Sequence, residues 1–342
     1  MNDNSASLAK YRQKLRLKRI TLGVCLCVLL AVTAVWRITH GEWNIPSARV
    51  AELLSPSLSA AERITPEAIV VRSVRLPRFL AAVGAGGLLA VSGTVLQGVL
   101  TNPLAEPYTL GIAAGAAFGG ALGFFFGTFA IMPMAFIGAL ASIWLVNMIA
   151  WKGGGGSSAY IVLAGIVTNS ILSAGVTFLK SIADDKLGAI VLWLMGSLTG
   201  AAPLSAAMVW LGAAVSFFPA FICGRQLDAV SLGDGRGEAL GVDEKKLRLF
   251  LLCTASAATA LAVSCFGIIG FVGLVTPHIL RLLIGPSHRQ LLVFSFLTGG
   301  ALLAIADGVA QLLGELPVGV VTALVGGPFF CWMLVFGKRA AR

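Results

Sequence analysis

Charge is what this chain has least of. Only 12% of its 342 residues are Asp, Glu, Lys or Arg, against about 25% in an ordinary soluble domain. Catalytic signatures are missing too. There is no H-E-x-x-H, no G-x-S-x-G and no G-x-x-x-x-G-K-[S/T], which removes the usual zinc-protease, serine-hydrolase and nucleotide-loop chemistries. The glycine run Gly153 to Gly156 is followed by Ser157 and Ser158 rather than Lys-Ser, so it cannot cradle a nucleotide. The three histidines (His40, His278, His288) are scattered, and none of the six cysteines forms a C-x-x-C pair or lies at metal spacing from a histidine. No metal site follows, and the cysteines read as small packing residues. The nearest hint of an enzyme, Ser197 in MGSLTG with His278 far along the chain, is too thin to carry a hydrolase reading.

What remains is apolar. Hydrophobic residues make up 57% of the chain and the mean hydropathy is +0.91. A helix needs about 20 residues to cross the roughly 30 Å hydrocarbon layer, and apolar runs lie near 20–38, 77–99, 108–127, 130–151, 158–179, 204–223, 249–267, 274–284, 290–313 and 318–336. The expected fold is an all-α membrane protein of about ten transmembrane helices: a basic tail over 1–19, then one polytopic domain over 20–337 without a soluble domain. The 41 glycines suit close helix packing in lipid. The run after Arg19 imitates a secretory signal but lacks a small-x-small cleavage site, so it is expected to stay as the first span.

The net charge of +10 reports topology rather than nucleic acid, because the basic residues are dispersed between apolar runs instead of gathered on one solvated face. With both termini cytoplasmic, 17 of the 25 basic residues fall inside, as the positive-inside rule favours. Residues 249–280 carry no formal charge yet are bounded by basic loops. They are too few for two full crossings, so the return limb is expected to be short or broken, with Gly267, Gly270, Gly273 and Pro277 as the breaks.

Three groups of residues stand out. Arg72, Arg75 and Arg78 in VRSVRLPRFL precede a stretch, Phe79 to Trp151, whose single formal charge is Glu106. Pro77 is expected at the first turn of the second span, with Leu76 outside it. That places Arg75 and Arg78 at the outer surface, either snorkelling to lipid phosphates or offering guanidinium forks to carboxylates of another protein. Asp307 is the one ionisable candidate within a span; it reads as a structural polar pair with Gln311, one helical turn on, or alternatively as the ion site of a secondary transporter. Finally, the loop 224–248 carries Leu227, Val230, Leu232 and Leu240 among mixed charges, a composition that suits a surface for a partner protein.

Four stretches, RLPRFLAAVGAGGLLAVSGTVLQGVLTNPLAEPYTLGIAAGAAFGG (75–120), LGDGRGEALGV (232–242), GFVGLVTPHILRLLIGPSHR (270–289) and ELPVGVVTALVGGPFF (315–330), resemble the FecCD-type permeases, the membrane subunits of type II ABC importers for iron siderophores, haem and cobalamin. The resemblance implies ten helices, a second permease subunit (a homodimer is the simplest form), two ATPase subunits inside, an extracytoplasmic binding protein outside, and the bacterial plasma (inner) membrane as the location. ATP and Mg would sit on the ATPase, leaving this chain without cofactor or enzymatic activity. It assigns binding-protein docking to Arg75 and Arg78, with Arg72 less secure, and ATPase coupling to Leu232, Gly233, Asp234, Glu238, Ala239, Leu240 and Gly241. The turns holding Asn102, Pro103 and Leu104 and Ser157 and Ser158 are expected to form an inner gate. Two departures matter: Gln311 stands where many relatives have arginine, and Gly235 and Gly237 are expected to loosen the coupling helix, each interior glycine costing about 1 kcal/mol.

Overall fold

The computed structural model describes residues 2–340 apart from 42, 56–58, 155, 234 and 235. Among the described residues every regular element is helical. Seven helices are long and apolar enough to cross a membrane and three shorter apolar ones interleave with them. In chain order they are α1 (Asn2–Thr39), α2 (Pro66–Val99), α3 (Ile112–Phe126), α4 (Thr128–Gly154), α5 (Ser158–Ser181), α6 (Pro203–Ile222), α7 (Glu244–Phe266), α8 (Val272–Ile284), α9 (His288–Leu312) and α10 (Val318–Ala340).

Helix α2 is the axis of the bundle: almost every side chain from Pro77 to Val99 is buried, against α9, α6, α7 and α8. Glycine makes this possible. A β-carbon at Gly86 would sit 2.2 Å from the carbonyl oxygen of Gly299 in α9, and one at Gly299 would sit 2.4 Å from that of Gly86. Two backbones in contact exclude any side chain between them.

The start of α2 departs from the sequence expectation. Pro77 does not open the helix. Leu76 is helical at φ −63°, ψ −49°, and the helical path runs unbroken from Pro66. A proline inside an α-helix lacks one N–H and its ring collides with the carbonyl four residues back; here Val70–Arg75 forms a π-helical turn, in which the Leu76 N–H reaches the Val71 carbonyl. That widened turn accommodates the ring, so Arg75 and Arg78 lie well within the helix rather than at its positive end.

Between α7 and α8 the chain breaks as expected at Gly267 and Gly270, but not at the other two expected residues. Gly267 (φ +72°) and Phe271 (φ +67°) bound the irregular segment, whereas Gly273 and Pro277 lie inside α8. At 13 residues, α8 is about 20 Å long, short of a full crossing. Protein covers the irregular backbone: the Tyr108 hydroxyl donates to Ile269 O at 2.7 Å, and Ser197 N–H donates to Phe266 O at 2.8 Å. At membrane depth such cover is obligatory.

Candidate functional site

At one end of the bundle Arg78 of α2 meets two carboxylates that follow it by more than two hundred residues. Arg78 is 7% exposed. Its Nε lies 2.9 Å from Asp307 Oδ2 and its Nη2 3.0 Å from Oδ1, while Nη1 and Nη2 reach Glu315 Oε1 and Oε2 at 3.0 and 2.8 Å. A second guanidinium completes the network: Arg37, at the end of α1, donates to Asp307 Oδ2 at 2.5 Å and to Gln311 Oε1. Asp307 and Gln311 are therefore joined through Arg37, not directly. Thr199 donates to Glu315 from the loop before α6.

Local sequence sets this up. The short turn after α9 puts Gly314 (φ +88°) and then Glu315 (φ +59°) in left-handed backbone, a region non-glycine residues avoid. Two hydrogen bonds from Arg78 oppose that strain. Burial alone would push the Glu315 carboxyl up, but hydrogen bonding and charge from Arg78, with Thr199 and Gln311, hold it below its ordinary value.

Arg75 takes a different role: it donates to the carbonyls of Ile38 (2.9 Å), Thr39 (3.1 Å) and Trp43, stitching the end of α1 to α2. Arg72 is partly exposed on the same helix. A cavity of about 530 Å³ opens beside Arg75, Arg78, Gln311 and Glu315. The arginine row is thus divided, with Arg78 committed to an internal ion pair. Reversing Arg78 to Glu would set three carboxylates together and destabilise the fold.

The loop between α6 and α7 is split between two faces. Gly224–Val230 is helical, with Leu227 (0%) and Val230 (3%) buried in the core, while Leu232 (57%) and Leu240 (64%) project outward, and Glu238, Ala239 and Gly241 are exposed beside them. Gly233 takes φ +120°, a conformation suited to glycine. Asp234 and Gly235 lie outside the described residues. Gly237 does not loosen the element: it is buried, its N–H donates to Glu244 Oε1 at 2.8 Å, and a β-carbon there would lie 2.6 Å from that oxygen. Glycine is what lets Arg236–Ala239 pack against α7. Asp228 ties the loop to α9 by accepting from His288 N–H at 2.8 Å and sitting 2.7 Å from its Nδ1.

The turn through Asn102, Pro103 and Leu104 is held by Leu104 N–H donating to Asn102 Oδ1 at 2.9 Å, and Pro107–Leu110 then packs on α5 at Gly165. Burial lifts the Glu106 carboxyl to about 7. Ser157 caps α5 by backbone position, with Ser158 next to it; Arg248 Nη1 donates to Gly156 O at 3.1 Å, anchoring that turn to α7. Ser197 accepts from Thr199 N–H at 3.0 Å, and no hydrogen bond links it to His278 among the described residues. Sequence reasoning missed Arg37 and Glu315 in the ion network; one signal for Arg37 was a cation at the end of the first span, facing a chain with a single intramembrane acid.

Comparison with known proteins places this geometry. The chain is 43% identical over 288 residues to the hemin transport system permease protein of Yersinia pestis, covering 77% of this chain and 82% of that protein. It is 40% identical over 274 residues to the cobalamin import system permease protein of Halobacterium salinarum, covering 78% and 73%. To the molybdate import system permease protein of Haemophilus influenzae it is 33% identical over 327 residues, covering 92% and 95%. Among solved structures it superposes with a TM-score of 0.80 on a metal-chelate type ABC transporter in an inward-facing conformation, at 30% identity, over 91% of this chain and 98% of the other. With the model of the FecCD transport family matching residues 14–336, this multi-pass membrane chain belongs to the FecCD transport family.

Proposed function

We propose that this chain is the permease subunit of an ATP-binding-cassette importer, resident in the plasma (inner) membrane, which passes an iron chelate (siderophore or haem) or a cobalamin-like ligand from an extracytoplasmic binding protein into the cytoplasm. Its ten apolar helices, α8 among them as a short return limb, leave both termini inside, the arrangement that keeps most of the basic residues cytoplasmic. Energy comes from two separate ATPase subunits. The observation that carries this reading is that Leu232 and Leu240 are exposed on the same loop whose Leu227 and Val230 are buried: apolar side chains held outward on a cytoplasmic loop suit a cleft in another protein.

The pathway runs beside α5, against a second permease copy. Asn169, Ser170, Ser173 and Thr177 are exposed along one side of that helix. Ser170 and Thr177 donate to carbonyls of their own helix, Ile166 and Ser173, each at 3.0 Å. Polar groups on an outer helix face disfavour lipid contact, and hydroxyls already bonded to their own backbone bind passing cargo weakly, which lets it leave. The turns at Asn102–Leu104 and Ser157–Ser158 then close the inner end.

Outside, docking falls to Arg75, which lines the open cavity, and to Arg72, partly exposed on the same helix, with Arg78 reached only by a carboxylate that competes with Glu315. Arg72→Glu is expected to weaken association with the binding protein; unchanged affinity would remove Arg72 from the interface. The alternative, an ion-coupled transporter using Asp307, is disfavoured because Arg37 and Arg78 already occupy both carboxylate oxygens. Vesicle uptake should require ATP and the ATPase and persist when the proton gradient is collapsed. Uptake driven by that gradient alone would support the alternative.

A further inference from the structure

We propose that the crevice between the first turns of the apolar part of α1 and the end of α8 is a specific site for the phosphate of an anionic phospholipid. Lys14, Lys18 and Arg19 line it from α1, and Leu282, Leu283 and Ile284 with the Gly285–Pro286 turn line it from α8, around a cavity of about 590 Å³. Among the described residues no Asp or Glu lines it, so three cations converge there, although Arg19 also borders the neighbouring cavity that Asp228 lines.

Arg19 is positioned rather than free to swing. Its Nη2 donates to Ile284 O at 2.8 Å, which fixes the guanidinium against the turn, while its Nε is buried with no partner. An unpaired buried donor is unfavourable, and a phosphate in the crevice places an anion beside that guanidinium. Lys14 and Lys18, one helical turn apart, are exposed on the same side. Below the cations the wall turns apolar: Leu282 is 68% and Leu283 38% exposed, an outward hydrocarbon surface fit for acyl chains. Basic groups above an apolar wall at the membrane boundary match an anionic headgroup joined to its tails.

The site adjoins the coupling region. Gly285 and Pro286 lead into His288, which holds Asp228 of the α6–α7 loop, so a bound headgroup braces the turn against which that loop rests. The lipid is thereby a structural ligand of this chain, separate from the cargo pathway.

The test is native mass spectrometry on the purified, delipidated protein titrated with cardiolipin, phosphatidylglycerol or phosphatidylcholine, with inorganic phosphate as competitor. The two anionic lipids are expected to bind in preference to phosphatidylcholine. Lys14→Gln with Lys18→Gln, both at exposed positions, should weaken anionic-lipid binding about 30-fold; Arg19→Gln should weaken it further, and Lys152→Gln should change nothing. Equal binding of phosphatidylcholine would mean ordinary annular contact and overturn the proposal. So would retention of anionic lipid by the Lys14/Lys18 variant, or displacement of the lipid by millimolar inorganic phosphate, which would mark a site for a free anion.

Discussion

Arg78 of α2 grips Asp307 of α9 with two nitrogens, at 2.9 and 3.0 Å, across 229 residues of sequence. Arg37 of α1 holds the same carboxylate. Three helices thus share one buried acid, and the charges that look exposed in the sequence serve to lock one end of the bundle.

Removing that acid is therefore costly. Asp307→Asn leaves two guanidinium groups against a neutral amide, and breaking a buried pair typically costs about 3–5 kcal/mol. The thermal midpoint of the purified protein should fall sharply. Combining Asp307→Asn with Arg37→Gln should restore part of the loss, because fewer buried cations are left unpaired; strict additivity of the two losses would refute the shared network.

The helix crossing at Gly86 and Gly299 makes a steric prediction. Gly86→Ala puts a β-carbon 2.2 Å from a backbone oxygen, where no side chain can move aside. The helices must separate, at a cost of about 1–3 kcal/mol or more. Yield of folded protein in detergent should drop well below wild type, whereas Gly188→Ala, with nothing within 4 Å of the added carbon, should leave it unchanged.

Glu315 predicts an acid limb. Its carboxyl is held below the ordinary 4.5 by Arg78 against the opposing effect of burial. A carboxyl with a depressed folded-state value contributes stability that is present above 4.5 and lost as pH falls through the lower folded value. Thermal midpoints measured from pH 8 to 3 should be flat with respect to this group until about 4.5 and then decline. Glu315→Gln should start lower and show a shallower decline; parallel curves would contradict the ion pair.

At the opposite end, Leu232→Asp or Leu240→Asp should leave the fold intact, since both side chains are exposed, yet reduce co-purification of the ATPase by about tenfold or more. Leu227→Asp, at a position fully buried, should instead destabilise the chain itself.

Much of this molecule was legible in its residues. Hydropathy placed the apolar segments, the motifs carried the family, and the charge-free stretch 249–280 announced a broken return limb. What escaped were relationships between distant segments. Nothing local says that a π-helical turn absorbs Pro77, that Gly237 is demanded by Glu244, or that the cation ending α1 lies beside Asp307. Each depends on how helices far apart in sequence come together, and helical periodicity describes only one helix at a time.

The most direct test of the account is concentrative uptake in liposomes. The chain alone should accumulate no chelate, with or without a proton gradient, while addition of the ATPase, binding protein and ATP should drive accumulation. Gradient-driven accumulation by the isolated subunit would contradict it.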